Sequence, residues 1–126
     1  METDFRPIIV LFSAKNEETT ELFRKVLREA KVLGGKKLII HVIEDVNYWD
    51  FFSNSREAIL DNLDLGIEIY TWKTTDTENM IKKIEEINNP KGIVTFCSDD
   101  YKYMMRKIID NLPTSLKANI IKDYCK

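Results

Sequence analysis

Arg6-Pro7-Ile8-Ile9-Val10-Leu11-Phe12-Ser13-Ala14-Lys15-Asn16-Glu17-Glu18 opens a segment that closes with Lys36-Lys37-Leu38-Ile39-Ile40-His41-Val42-Ile43-Glu44-Asp45. It reads strand, helix, strand. Pro7 to Phe12 is a continuous apolar run of strand length, and a strand apolar on both faces belongs at the centre of a parallel sheet covered by helices. Asn16 is a good helix cap, with Glu17 and Glu18 in the first turn, where the helix dipole favours acids. Leu22, Phe23, Val26, Leu27, Ala30 and Leu33 then recur at three and four, giving one apolar stripe. Gly34-Gly35 stops the helix, and Leu38 to Ile43 is a second buried strand. The turn after the first strand has no glycine and carries two acids, whereas loops that cradle phosphate need backbone that approaches closely.

The same alternation continues outward. Val46 to Phe52 is less regular and holds Tyr48, Trp49, Phe51 and Phe52. A short helix is expected from Ser53 or Ser55 through Leu63, ended by Gly66. Ile67-Glu68-Ile69-Tyr70-Thr71-Trp72 alternates, as a strand with one wetter face does at a sheet edge. Thr75 or Asp76 caps a third helix using Met80, Ile81, Ile84 and Ile87. Asn88-Asn89-Pro90-Lys91-Gly92 is a break. Ile93 to Cys97 is a fourth strand, Met104 to Leu112 a fourth helix ended by Pro113, and Ala118 to Tyr124 a fifth strand. Five strands alternating with four helices predict an α/β fold: one doubly wound, five-stranded parallel sheet of order 3-2-1-4-5, helices on both faces, joined by right-handed crossovers. No repeat or linker interrupts it, so residues 1–126 read as a single domain.

Composition narrows the function classes. The chain has 126 residues, 44% hydrophobic and 32% charged, enough for one core and a well-solvated surface. Nineteen basic and twenty-one acidic residues leave a net charge of -2, which offers no footprint for nucleic acid. No apolar run is long enough for a transmembrane helix, and the acidic start Met1-Glu2-Thr3-Asp4 is no signal peptide. A cytoplasmic protein is the expectation. Cys97 and Cys125 make no disulfide framework and suit a reducing compartment, and one histidine gives no zinc spacing.

In open parallel sheets ligands bind beyond the carboxyl ends of the strands, where the order switches. That places Ser13, Val42, Cys97 and Ser98 as the candidate crevice residues. Asp99 and Asp100 are weak candidates for a divalent cation or a general base; helix capping is the plainer reading. Cys97 precedes a helix start, which favours a thiolate, yet a buried structural cysteine is the simpler reading. His41, flanked by Ile40 and Val42, reads as a packed histidine bonded to a neighbour before it reads as a ligand or base. Trp49, Phe51 and Phe52 are either core cover or a partner surface.

The first strand Ile8 to Phe12, the helix after it, and the histidine-valine pair within Leu38-Ile39-Ile40-His41-Val42-Ile43 resemble the universal stress protein family, and the element order is similar over nearly the whole chain. In that family an aspartate often ends the first strand; Ser13 stands at about that place. Its ATP-binding branch has glycine, two residues, glycine, nine residues, then glycine and serine or threonine after the fourth strand. No glycine occurs from Ile93 onward. The resemblance therefore implies no cofactor and argues against ATP. Members without the loop are similar in acting as dimeric stress or regulatory proteins that pair through the last strand, which implies a homodimer through residues 119–124. The alternative is a small nucleotide- or metal-binding enzyme using the crevice at the ends of strands one and four. A receiver domain would need an acid pair where Ser13 and Ala14 stand, and a flavodoxin a loop rich in threonine, serine and glycine.

Overall fold

Apolar side chains above and below one sheet organise the molecule. The computed structural model describes residues 6–15, 18–43, 48–62, 64–87 and 89–125. Their strands are β1 (Ile8–Ser13), β2 (Lys37–Ile43), β3 (Gly66–Trp72), β4 (Gly92–Cys97) and β5 (Ile120–Asp123). All pair in parallel in the order β3-β2-β1-β4-β5, as the alternation of the sequence predicts. The helices are α1 (Thr19–Val32), α2 (Tyr48–Leu60), α3 (Thr77–Glu85), α4 (Lys102–Asp110) and α5 (Thr114–Lys117).

Alternation along each strand builds two cores. Ile8, Val10, Phe12, Leu38, Ile40, Val42, Val94 and Phe96 face Phe23, Val26, Leu27 and Ala30 of α1 and Ala58 of α2. Ile9, Leu11, Ile43 and Ile93 face Met80 and Ile84 of α3, Met105 and Ile109 of α4, and Leu116 of α5. β1, β2 and β4 are thus covered on both sides, which is why their sequences run apolar without alternation. Gly34, at φ 73°, takes the left-handed conformation that ends α1.

Several boundaries differ from those read from sequence. α1 starts at Thr19, whose hydroxyl donates to the Lys15 carbonyl at 2.9 Å; the expected cap, Asn16, lies outside the described residues. α2 starts at Tyr48, so the aromatic segment is the helix's opening turns, with Ser55 and Ala58 on its buried side. Phe52 is 41% exposed, and the side chains of Trp49 and Phe51 lie outside the described ones. β5 is shorter than 118–124 because α5 takes its approach: Ala118 N–H donates to Thr114 O and Asn119 N–H to Leu116 O, each at 3.0 Å. β5 is also bulged. The register steps from Ile93 opposite Ile120 to Val94 opposite Lys122, which leaves Ile121 as the extra residue, folded over Gly92.

Candidate functional site

The chain runs outward from β1 through β2 to β3, then returns to β4 on the other side of β1. The switch point therefore lies at the carboxyl ends of β1 and β4, and it brings Ser13, Cys97 and Ser98 together as the sequence predicts. Each polar atom there is engaged internally. Ser13 Oγ donates to the Ile43 carbonyl at 2.9 Å, and Ser98 N–H donates to the Ser13 carbonyl at 3.0 Å. Ser98 Oγ accepts from the Lys15 N–H at 3.2 Å. Ser13 is 0% exposed, Val42 0%, Ser98 4% and Cys97 8%, so these four residues present almost no surface to a ligand.

Cys97 is disulfide-bonded to Cys125, with 5.6 Å between the Cα atoms. This corrects the reading of two separate thiols. Parallel neighbours β4 and β5 carry one cysteine each at or just beyond their carboxyl ends, and the turn after β5 swings Cys125 into the core beside Cys97. Asp99 and Asp100 do not converge: Asp100 pairs with Lys15, and Asp99, whose side chain is 91% exposed, pairs with Lys102 at 3.1 Å. Neither caps a helix through its side chain. Among the described residues no group of three or more His, Cys, Asp or Glu side chains is placed to hold a metal ion.

A second polar cluster sits on the α3 side of the sheet, between β2 and β3. Strand alternation puts Lys37, Ile39, His41 and Ile43 on this face, opposite Gly66, Glu68, Tyr70 and Trp72. His41 is fully buried. Trp72 Nε1–H donates to its Nδ1 at 2.9 Å, and its ring stacks on Tyr70 at 5.4 Å and on Trp72 at 6.1 Å. Burial, helped by the Lys83 ammonium, pulls its pKa down from 6.5 to about 4. Glu68 is held below the usual carboxylate range, first by its bond to Lys37 at 3.1 Å and also by the Tyr70 hydroxyl at 3.2 Å; partial burial opposes this. Lys83 lies 5.2 Å from the centre of the Tyr70 ring and 3.4 Å from Glu86. Lys37, His41, Glu68, Tyr70, Lys83 and Glu86, with Ile39 and Ile87, line a cavity of about 210 Å³. A larger, open groove of about 670 Å³ runs between α1 and α2, where Arg24, Arg28 and Lys31 alternate with Glu21 and Asp61.

Residues 10–126 match the model of a family of unknown function, DUF5751. The chain belongs to the DUF5751 family. This DUF5751 chain is also similar to a hypothetical protein of Sulfolobus tokodaii whose crystal structure is solved: 36% identity over 96% of this chain and 97% of that one, with a TM-score of 0.87. No curated protein matches it. The matches give the DUF5751 chain its family and its fold, and they carry no activity.

The sequence points to the crevice residues and to His41, but two partners, Trp72 and Cys125, are not evident from it alone. Trp72 was visible as the last residue of the third strand, two places beyond the residue opposite His41. Cys125 was visible as the cysteine that follows the strand next to Cys97. Both signals needed the strand register. No helix among the described residues is long and apolar enough to cross a membrane.

Proposed function

We propose that this protein is a non-catalytic regulatory domain of the universal-stress type, in which the strand-end crevice is sealed and takes no ATP. One observation supports the reading above others: the Ser13 and Ser98 hydroxyls, the Ser98 and Lys15 amides and the Cys97 sulfur are all bonded within the protein. A phosphate cradle needs free amides on glycine-bearing backbone, and here side chains and internal hydrogen bonds occupy that position. Asp100 beside Lys15 adds a carboxylate that would repel an unaccompanied phosphate.

The homodimer implied by the resemblance is retained, but not as a continuous ladder through residues 119–124. β5 is four residues long, bulged at Ile121 and charged at Lys122, the devices that keep edge strands from pairing. Ile121, 45% exposed, remains the apolar contact this edge offers a second copy.

Calorimetric titration with ATP and magnesium tests the sealed crevice. No heat of binding is expected; micromolar affinity overturns the proposal and favours a nucleotide-binding enzyme. A thermal shift with divalent cations that disappears in Asp99→Asn would do the same for a metal-dependent one. Sedimentation of the native chain beside Ile121→Lys tests the dimer.

A further inference from the structure

The cavity between β2, β3 and α3 is built around an unanswered donor. Trp72 Nε1–H can only donate, so His41 Nδ1 is the acceptor. A neutral imidazole that accepts at Nδ1 carries its proton on Nε2. That Nε2–H is buried and has no hydrogen-bond partner among the described residues. Leaving a buried donor unmade is costly, and such a group in a folded protein calls for an explanation. His41 forms part of the wall of a cavity about 210 Å³ in volume, which is room for several waters or one small molecule.

The surroundings say what that molecule would be. Of the cavity's charged groups, Lys83 is the one whose field acts on His41. Glu68 is already answered by Lys37 and the Tyr70 hydroxyl. Glu86 sits one α3 turn beyond Lys83, with its side chain 66% exposed. The cavity lining thus includes an N–H donor and an ammonium, the pair that complements an oxyanion. Ile39, Tyr70 and Ile87 supply apolar wall.

We propose that this cavity binds a small organic carboxylate, one oxygen accepting from His41 Nε2–H, the other facing Lys83, and the apolar body lying against Ile39, Tyr70 and Ile87. The ligand's carboxylate takes Lys83 from Glu86. The site lies on the α3 side of the sheet, away from the strand-end crevice, and stands independently of whether that crevice is sealed.

Benzoate titrated into labelled protein and followed by NMR tests this, with benzamide and inorganic phosphate as controls. Benzoate at millimolar concentration is expected to shift the amides of residues 37–41, 68–72 and 83–87 and the His41 Nε2–H signal. Lys83→Gln, a change at a half-exposed position that keeps the fold, weakens benzoate roughly tenfold, the scale of a charge-assisted hydrogen bond. His41→Phe, which keeps the stacked ring, abolishes the shifts. Benzamide, with the same body and no charge, binds more weakly. The proposal is overturned if benzoate shifts nothing, if its shifts map elsewhere, if Lys83→Gln leaves its affinity unchanged, or if phosphate or benzamide binds as well.

Discussion

Trp72 reaches diagonally across the β2–β3 pair, from opposite Ile43, to hydrogen-bond the His41 imidazole at 2.9 Å. The bond fixes the tautomer of a buried ring that burial already keeps neutral. The folded pKa lies below the unfolded one, so the unfolded chain takes up a proton first as pH falls. Stability from this group is complete above pH 6.5 and is lost as pH drops from 6.5 to about 4. The loss amounts to about 3 kcal/mol at most. Urea unfolding of wild type and His41→Asn across that window is expected to give a steeper pH slope for wild type. Equal slopes would mean that His41 titrates as freely in the fold as in the unfolded chain.

Asp123 answers three donors at once. Its Oδ1 accepts the Thr95 hydroxyl at 2.7 Å and the Cys125 N–H at 3.0 Å, and its Oδ2 pairs with Arg106. Burial pushes its pKa up, but Arg106, Thr95 and the Cys125 amide outweigh that and hold it below 3.8. The sign is opposite in origin to that of His41 and equal in effect: this contribution is present above pH 3.8 and is lost as pH falls below it. Asp123→Asn is expected to destabilise by about 1–3 kcal/mol at pH 7, and by much less near pH 2. Thermal melts at the two pH values check both halves of the statement.

The strands, their order and the two-sided burial were legible because Ile8–Phe12, Leu38–Ile43 and Ile93–Cys97 are apolar runs, and an apolar run reports its own environment. What was not legible depends on register. The strand order implies that Ser13 and Ser98 are neighbours, but nothing local says that their hydroxyls are consumed by Ile43 O and Lys15 N–H. Sequence reading makes His41 a packed histidine bonded to a neighbour, yet naming Trp72 requires knowing that Tyr70, and not Trp72, stands opposite it. The sequence puts α2 later because its opening aromatics are not strong helix formers, yet the helix runs from Tyr48.

Gly92 and Ile121 form another such pair. A Cβ at position 92 would stand 2.8 Å from Ile121 Cγ1 and closer still to its Cδ1, because the β5 bulge folds that side chain over the start of β4. Gly92→Ala is expected to cost about 1–3 kcal/mol through this overlap. Ile121→Ala in the same chain removes the obstructing atoms and is expected to recover most of that loss. A double-mutant cycle by urea unfolding measures the coupling. An additive cycle would place the strain elsewhere than at the bulge.

The disulfide joins Cys97, which ends β4, to Cys125, which follows β5, across 28 residues. On chain-entropy grounds, closing that loop stabilises the fold by about 3–4 kcal/mol. Reduction is therefore expected to lower the melting temperature by about 10 °C in wild type and to leave a Cys97→Ser/Cys125→Ser variant unmoved. The loosening should be local. Beyond the disulfide, the end of β5 is tied by the Asp123 contacts, by stacking of Tyr124 on Phe96 at 4.8 Å and by the bond from Tyr124 to Glu29. The Ser98 amide donates to Ser13 and the Lys15 amide to Ser98, and neither bond passes through sulfur. Hydrogen exchange after reduction should therefore speed at residues 120–125 while Lys15 and Ser98 stay protected. If those two amides exchange as fast as the β5 amides, the disulfide, and not the serine hydrogen bonds, is what closes the crevice.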